Sequence, residues 1–140
     1  MKYEATDLGR AWVIRLDDGD CLHDCIEEIA GREDVQRAVC LALGGADAHS
    51  KLVVGPEDGR AAAITPQVLA LQNVHEMAAV GTVFPNEAGQ PILHMHAVCG
   101  RGEGAVSGCV RQGVKTWLVG EVVMLELVGG SSRRVREETS

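Results

Sequence analysis

The sequence predicts an α+β protein in which one main helix packs on a mostly antiparallel β-sheet. Many β-rich segments are joined by short turns, and short turns favour antiparallel pairing. Only one segment has the apolar spacing of a helix, and a single helix beside such a sheet covers one of its faces. The β-rich segments are almost continuously apolar, which is typical of strands buried on both faces. We therefore expect other copies of the chain to cover the second face.

The composition is that of one small acidic domain. A chain of 140 residues predicts a single domain with a sizeable core, here residues 1–130, followed by a polar tail, residues 131–140. The net charge of −7 disfavours DNA binding through neutralised phosphates, and an aromatic content of 3% disfavours base stacking. The tail's basic cluster is followed at once by acidic residues, so we expect it to be solvated. These residues are Arg133, Arg134, Arg136, Glu137 and Glu138.

The cysteines indicate a reducing compartment. There are five, and an odd number cannot be fully paired in disulfides. Met1 leads into a polar stretch without the pattern of a signal peptide, and no apolar run reaches the length of a membrane span. We therefore predict a cytoplasmic protein with free thiols and no membrane partner. The cysteines are Cys21, Cys25, Cys40, Cys99 and Cys109.

The first predicted elements are a strand and the main helix. The strand runs from Ala11 to Leu16 and ends in turn residues. Asp20 can cap a helix that continues to about Ala30, with Gly31 as its C-terminal cap. One side of this helix carries an apolar stripe at helical spacing. Its members are Leu22, Cys25, Ile26 and Ile29.

The middle of the chain predicts three short strands. Val35 to Leu43 is the first, and the two glycines that follow it favour close backbone approach or a positive φ angle. Ser50 to Val54 is the second. Ala61 to Ile64 is the third, and Thr65-Pro66 begins a linker.

The second half of the chain predicts longer strands. His75 to Phe84 contains Gly81, which suggests a β-bulge. A turn leads into the strand that begins at Pro91. Thr116 to Leu127 is the longest β-rich run, and Glu121 interrupts it. That carboxylate either faces solvent or belongs to a site or a subunit interface.

The candidate site lies in the strand after Pro91. His94 and His96 are two residues apart, so a strand would place both imidazoles on one face. A glycine-rich turn follows, and a hairpin would bring Cys109 back towards the histidines. Three such ligands leave one tetrahedral position open, as in a catalytic zinc site. The alternatives are two buried, hydrogen-bonded histidines without a metal, or a nucleophilic Cys109 with a histidine base.

Two further residues open the preceding strand. If that strand pairs with the histidine strand, His75 is an additional candidate ligand. Glu76 is then a candidate catalytic base or a residue that orients a ligand. The alternative for both is a polar strand end in solvent.

The order of several short motifs resembles the PPC domain, the domain conserved in plants and prokaryotes. The resemblance rests on the order of these motifs together, which run through almost the whole chain. They are Gly9-Arg10, Asp17-Asp18-Gly19-Asp20, Leu43-Gly44-Gly45-Ala46, Val80-Gly81-Thr82-Val83-Phe84-Pro85, Leu93-His94-Met95-His96 and Gly120-Glu121-Val122-Val123.

The resemblance implies a fold, an assembly and a metal. It implies an antiparallel sheet with one flanking helix, a homotrimer, and a metal site in some prokaryotic members. Many members carry a third histidine where this chain has Cys109, and a thiolate at that place favours zinc. Plant members add an AT-hook and bind DNA, but this chain has no Arg-Gly-Arg-Pro core.

Two functions follow from these patterns. The first is a small zinc-binding protein with His94, His96 and Cys109 as ligands, acting as a metal-dependent enzyme on a small molecule. The alternative is a non-catalytic trimeric module that regulates or associates with DNA, which the net charge disfavours.

Overall fold

The structure is a computed structural model that describes residues 1–135. It contains one antiparallel sheet of eight strands and one α-helix, the predicted α+β architecture. The elements in chain order are β1 (Asp7–Asp17), α1 (Leu22–Arg32), β2 (Ala38–Ala46), β3 (Lys51–Pro56), β4 (Pro66–Ala70), β5 (His75–Pro85), β6 (Pro91–Arg101), β7 (Gly104–Cys109), the 3₁₀ turn Val110–Gln112 and β8 (Thr116–Val128).

The strand order across the sheet is β1-β8-β2-β5-β6-β7-β3-β4. The site strand β6 is therefore near the middle, paired with β5 on one side and β7 on the other. The sheet is weakest between β7 and β3, where the pairing consists of Val53 opposite Cys109. Beyond that point the β3–β4 hairpin forms the far edge.

Helix α1 packs across β6 and covers one face of the sheet. Leu22, Ile26 and Ala30 lie on its inner side and are fully buried. They join one hydrophobic cluster with Met95 of β6 and Met124 of β8. At about 25 cal/mol per Å² of apolar surface removed from water, this cluster supplies most of the stabilisation that holds so short a helix. We call this side of the sheet the covered face.

The opposite side of the sheet, which we call the open face, is not covered by a helix or by a second sheet in the described part of the chain. One row of paired residues crosses it from β1 to β3. Its first four members are apolar and solvent-exposed, and the histidine strand continues the row. The row runs Val13, Val123, Leu41, Val80, His96, Cys109, Val53.

The structure corrects the predicted ends of the helix. Asp20 does not cap it, because its carboxylate accepts a hydrogen bond from the Asp17 backbone N–H at 2.9 Å. The N-cap is Cys21, whose side chain makes no capping bond. The helix also continues through Gly31 to Arg32, and the chain reverses at Asp34, whose φ is 54°.

Two strand predictions are also wrong. Ala61 to Ile64 is not a strand, whereas Pro66–Ala70 is. Proline is tolerated there because Pro66 is the first residue of an edge strand. Gly81 makes no bulge, since β5 keeps regular register with β2 and β6. The predicted close approach at Gly44 is confirmed: its φ is 142°, and a Cβ there would lie 2.4 Å from a backbone oxygen of β8. The glycines do not end the strand as predicted, since β2 continues to Ala46.

None of the helices in the described part of the chain is long and apolar enough to span a bilayer.

Candidate metal centre

Three side chains converge on the open face. The ligand atoms of His94, His96 and Cys109 all lie within 4.8 Å of one another. The two histidine Nε2 atoms are 3.1 Å apart, and the rings meet edge to face with centroids 4.9 Å apart. Both histidines are exposed, whereas Cys109 is buried. The structure therefore brings together the three residues that the sequence predicted as ligands.

Local pairing explains this convergence. The alternation of β6 puts His94 and His96 on one face and Met95 in the core. A two-residue turn at Gly102-Glu103 returns the chain as β7, whose last residue, Cys109, lies opposite His96. Directly paired side chains have Cβ atoms about 4.5–5.5 Å apart, which is within reach of a shared ion.

Two glycines make room for the strands that carry the site. A Cβ at Gly81 would lie 2.6 Å from the Met95 Cβ and 2.8 Å from the His94 carbonyl oxygen. A Cβ at Gly108 would lie 2.6 Å from the Val53 carbonyl oxygen. Both positions therefore require glycine for close strand approach rather than for an unusual φ angle.

Helix α1 anchors the histidine strand from behind. Strand β7 ends opposite His96, so the first half of β6 lacks a ladder partner on that edge. The Leu93 backbone N–H instead donates to the Glu27 carboxylate at 2.7 Å. His23 lies 3.3 Å from the same carboxylate. The edge beside His94 is thus held in place while its outer side stays open to a ligand.

Two arginines that sequence patterns did not identify flank the cluster. The Arg111 guanidinium is 3.9 Å from the Cys109 sulfur. Arg134 donates to the Thr82 carbonyl and hydroxyl at 3.0 and 3.1 Å, and Thr82 is the direct cross-strand neighbour of His94. Partial desolvation of the ring lowers the pKa of His94, and the charges of His96, Arg134 and Arg111 lower it further. These effects favour the neutral imidazole, which is the form that binds metals.

Arg134 reaches this position because the segment after β8 folds back onto the sheet. The Glu4 carboxylate accepts hydrogen bonds from the backbone and hydroxyl groups of Ser131 and Ser132. Arg37 donates to the Ser132 carbonyl oxygen at 2.8 Å. Arg134 was expected in a solvated tail, and it is instead half-buried. Arg136, the last member of the predicted basic cluster, lies outside the described residues.

Glu76 and His75, the other two predicted site residues, are not in the cluster, and neither is Glu121. Glu76 lies on the open face but four residues along β5 from Val80, the partner of His96, which is about 13 Å at the rise of a strand. His75 lies on the opposite face of the strand from Glu76, and its Nδ1 is 2.7 Å from the Asn73 carbonyl oxygen. Glu121 is exposed on the open face, opposite Leu43 and Arg15.

The cluster fits a tetrahedral zinc ion. With Zn–N near 2.0–2.1 Å and Zn–S near 2.3 Å, ligand atoms lie about 3.3–3.7 Å apart. The histidine nitrogens are already at 3.1 Å, and Cys109 needs an approach of about 1 Å, within the reach of side-chain rotation. Two imidazoles and a thiolate form a donor set that favours zinc over magnesium or calcium.

The remaining cysteines are structurally different. All five thiols are free. Burial raises the pKa of Cys40 to about 12 and also raises the pKa of Cys99. Both thiols lie in the hydrophobic cluster of the covered face and remain protonated there. Cys109 is the cysteine that faces the histidines.

Comparisons with known structures identify proteins that share this fold. The chain superposes on the structure of a metal-containing protein from Archaeoglobus fulgidus with a TM-score of 0.84 at 24% identity, covering 99% of this chain and 94% of that one. A plant- and prokaryote-conserved (PPC) protein from Pyrococcus horikoshii gives 0.80 at 23% identity, covering 100% and 92%. A protein from Ralstonia eutropha, provisionally named as DNA-binding, gives 0.66 at 20% identity, covering 89% and 81%.

These likenesses, all below 25% identity, establish a shared fold. No curated protein matches the chain significantly. The model of the Plants and Prokaryotes Conserved (PCC) domain matches residues 3–128, a range that contains every strand and the helix. The chain therefore belongs to the Plants and Prokaryotes Conserved domain family.

Proposed function

We propose that this protein binds one zinc ion per chain through His94, His96 and Cys109 and uses it as a cytoplasmic, metal-dependent enzyme acting on a small molecule. The observation that carries the proposal is the convergence of these three ligand atoms within 4.8 Å on one rigid sheet. The metal-containing relative with the same fold supports it. Three protein ligands leave one position open, which distinguishes catalytic from structural zinc sites.

The chemistry of such a site follows from its donors. Zinc with an open position lowers the pKa of a bound water to about 7 and polarises carbonyl groups. His94 and His96 offer imidazole nitrogens on the solvent side, whereas Cys109 offers its sulfur from the buried side. Glu76 lies too far along β5 to serve as the base within one subunit, so we do not assign it that role.

We also propose that the protein assembles as a homotrimer through the open face. The apolar row on this face is exposed in the single chain, with Leu41 49% and Val80 58% accessible. Contiguous apolar surface of this kind marks an interaction site on most proteins. The family resemblance supplies the expected number of subunits. His96 continues the same row, so the interface would border the metal site.

A second candidate function is a non-catalytic module that regulates or associates with DNA. Structural neighbours provisionally named as DNA-binding, together with the apolar face, favour it. The net charge of −7 argues against it. Retention on duplex DNA that falls steeply as salt rises would support this function, and we expect no retention at physiological salt.

Metal content tests the first proposal. The protein, produced without a histidine tag, is stripped with a chelator, reloaded with zinc and assayed by elemental analysis. We expect about one zinc per chain. His96→Ala should weaken binding by more than ~100-fold, beyond the 10–100-fold loss typical of residues outside the first coordination shell.

The matched control is His49→Asn, which removes an exposed histidine outside the cluster at a turn position whose φ of 67° asparagine tolerates. It should retain zinc with unchanged affinity. A parent protein that binds no zinc, or a His96→Ala variant that binds it as tightly as the parent, would contradict the proposal.

A further inference from the structure

A cavity beside the candidate metal centre carries a further inference. It has a volume of about 660 Å³ and lies between the open face and the β3–β4 hairpin. Ligand sites in proteins span roughly 300–1,000 Å³, so a small organic molecule fits. His96 and Cys109 form part of its wall, so the cavity and the metal centre are continuous.

The chemistry of the wall is divided. Most of the wall is apolar, made by the hairpin and by the neighbouring strands. The polar side chains are few, and three of them meet at the metal end. The apolar part consists of Val53, Val54, Pro56, Ile64, Pro66, Ala78, Ala79, Val80, Ala97 and Val98, and the polar side chains are His96, Ser107, Cys109 and Arg111.

The charge at the polar end is positive. The chain carries 20 acidic residues, yet none of them lines this cavity within the described residues. Arg111 makes no ion pair with a carboxylate anywhere in residues 1–135, so its guanidinium is available to an anion. Arg134 stands on the other side of the histidines, against Thr82. Guanidinium groups favour planar carboxylates, which they bind in a bidentate manner.

We propose that the cavity binds a monocarboxylate with an apolar chain. The carboxylate lies at the metal end beside Arg111, and the chain lies along the apolar wall towards Ile64. This inference rests on the proposed metal site for the tightest binding of the monocarboxylate. With zinc present, an oxygen of the carboxylate would take the open coordination position. The cavity and Arg111 remain a binding site without the metal.

The probes are octanoate, acetate, octanol and octylammonium, measured by isothermal titration calorimetry with zinc-loaded and metal-free protein. Octanoate should bind at one site per chain, at least about 10-fold more tightly than acetate, because each buried methylene adds to the affinity. The affinity for octanoate should also be at least about 10-fold higher than the affinity for octanol, because octanol lacks the charge. Octylammonium should not bind, since Arg111 and the metal repel it.

Variants separate the two ends of the site. Arg111→Gln should weaken octanoate about 10-fold, because the charge-assisted hydrogen bonds are lost. Ile64→Ser, in an exposed loop, should weaken octanoate and leave acetate unchanged. Arg32→Gln, a surface change on the covered side, is the control and should alter neither.

The outcomes distinguish this inference from the metal proposal. One zinc per chain with no octanoate binding, or octanoate binding that is insensitive to Arg111→Gln, overturns this inference alone. No zinc, but octanoate binding that depends on Arg111 and Ile64, supports this inference and overturns the metal proposal. If Ile64→Ser dissociates the assembly and the parent binds no octanoate, the cavity belongs to the subunit interface and the inference is wrong.

Discussion

The two faces of the sheet are built from the same strands and differ in what covers them. On the covered face, helix α1 buries Met95 and Met124 to 1% exposure or less. On the open face, the adjacent positions hold exposed apolar residues and the two histidines. A strand with period two can thus serve stability with one set of side chains and function with the other.

The difference shows why the histidine strand can be both rigid and accessible. Met95 is fixed by the core, and the Glu27 carboxylate holds the free edge of β6 at Leu93. His94 and His96 therefore project from a backbone that is anchored from behind. Sites supported by regular elements hold ligands more accurately than sites on loops.

The largest expected effect is on assembly, at the open face. Leu41→Glu places a charge in the middle of the apolar row, and burying it in an interface should weaken association by at least about 100-fold. Analytical ultracentrifugation should find a trimer for the parent and a folded monomer for this variant. Gln72→Glu adds the same charge in an exposed turn and should remain trimeric. A parent that is monomeric at all concentrations would contradict the assembly proposal.

The next effect concerns a single added methyl group. Gly81→Ala faces the covered side, where the new Cβ meets Met95, and it should destabilise the fold by about 1–3 kcal/mol. Val80→Ile adds a methyl at the neighbouring position on the open face, and in the monomeric Leu41→Glu background, where no interface covers that face, it should change stability by no more than about 0.5 kcal/mol. Urea unfolding at one fixed protein concentration measures both, because assembly contributes to apparent stability. Equal effects at the two positions would mean that the faces do not differ in packing.

The smallest effect is a pH dependence far from the site. Arg10 donates to Glu126 from its backbone and side chain at 2.9–3.0 Å, which lowers the pKa of that carboxyl from 4.5 to about 2. The unfolded chain therefore binds more protons between these values, so this stabilisation is present above pH 4.5 and is lost as pH falls towards 2.

Glu126→Gln should accordingly lower the Tm by roughly 2–5 °C at pH 7. The gap between parent and variant should narrow as the pH approaches 3. Thermal unfolding at both pH values, followed by circular dichroism, measures this difference. A gap that is the same at pH 7 and pH 3 would show that the ion pair does not contribute.

Local sequence patterns predicted the residues that lie close together in the chain, and they did not predict those brought to the site by long-range contacts. His94 and His96 share a face because of strand alternation, and a short turn returns Cys109, so the sixteen residues from 94 to 109 carry the information. Arg134 comes from the far end of the chain. Glu4 holds the segment before it, and Arg134 bonds to Thr82 of β5, contacts that no local pattern reveals. Arg111, two residues after Cys109, is the one missed residue that its position in the sequence could have indicated.

The same distinction holds for the fold. The α+β class and most strands follow from apolar runs and turn residues. The pairing of Arg10 with Glu126 joins residues 116 positions apart and depends on the register shift between Leu8 and Ala11. Strand β4 was missed because a proline at its start reads as a break, although an edge strand tolerates it.

Cobalt(II) titration tests the central claim most directly, because a thiolate bound to cobalt gives a charge-transfer absorption that histidine ligands alone do not give. The account predicts that this band saturates at one cobalt per chain, disappears in Cys109→Ser and persists in Cys25→Ser, whose thiol lies on the helix. Zinc should displace the cobalt and abolish the band, since its affinity for such sites is higher. A band that survives in Cys109→Ser, or no band in the parent protein, would contradict a metal site formed by His94, His96 and Cys109.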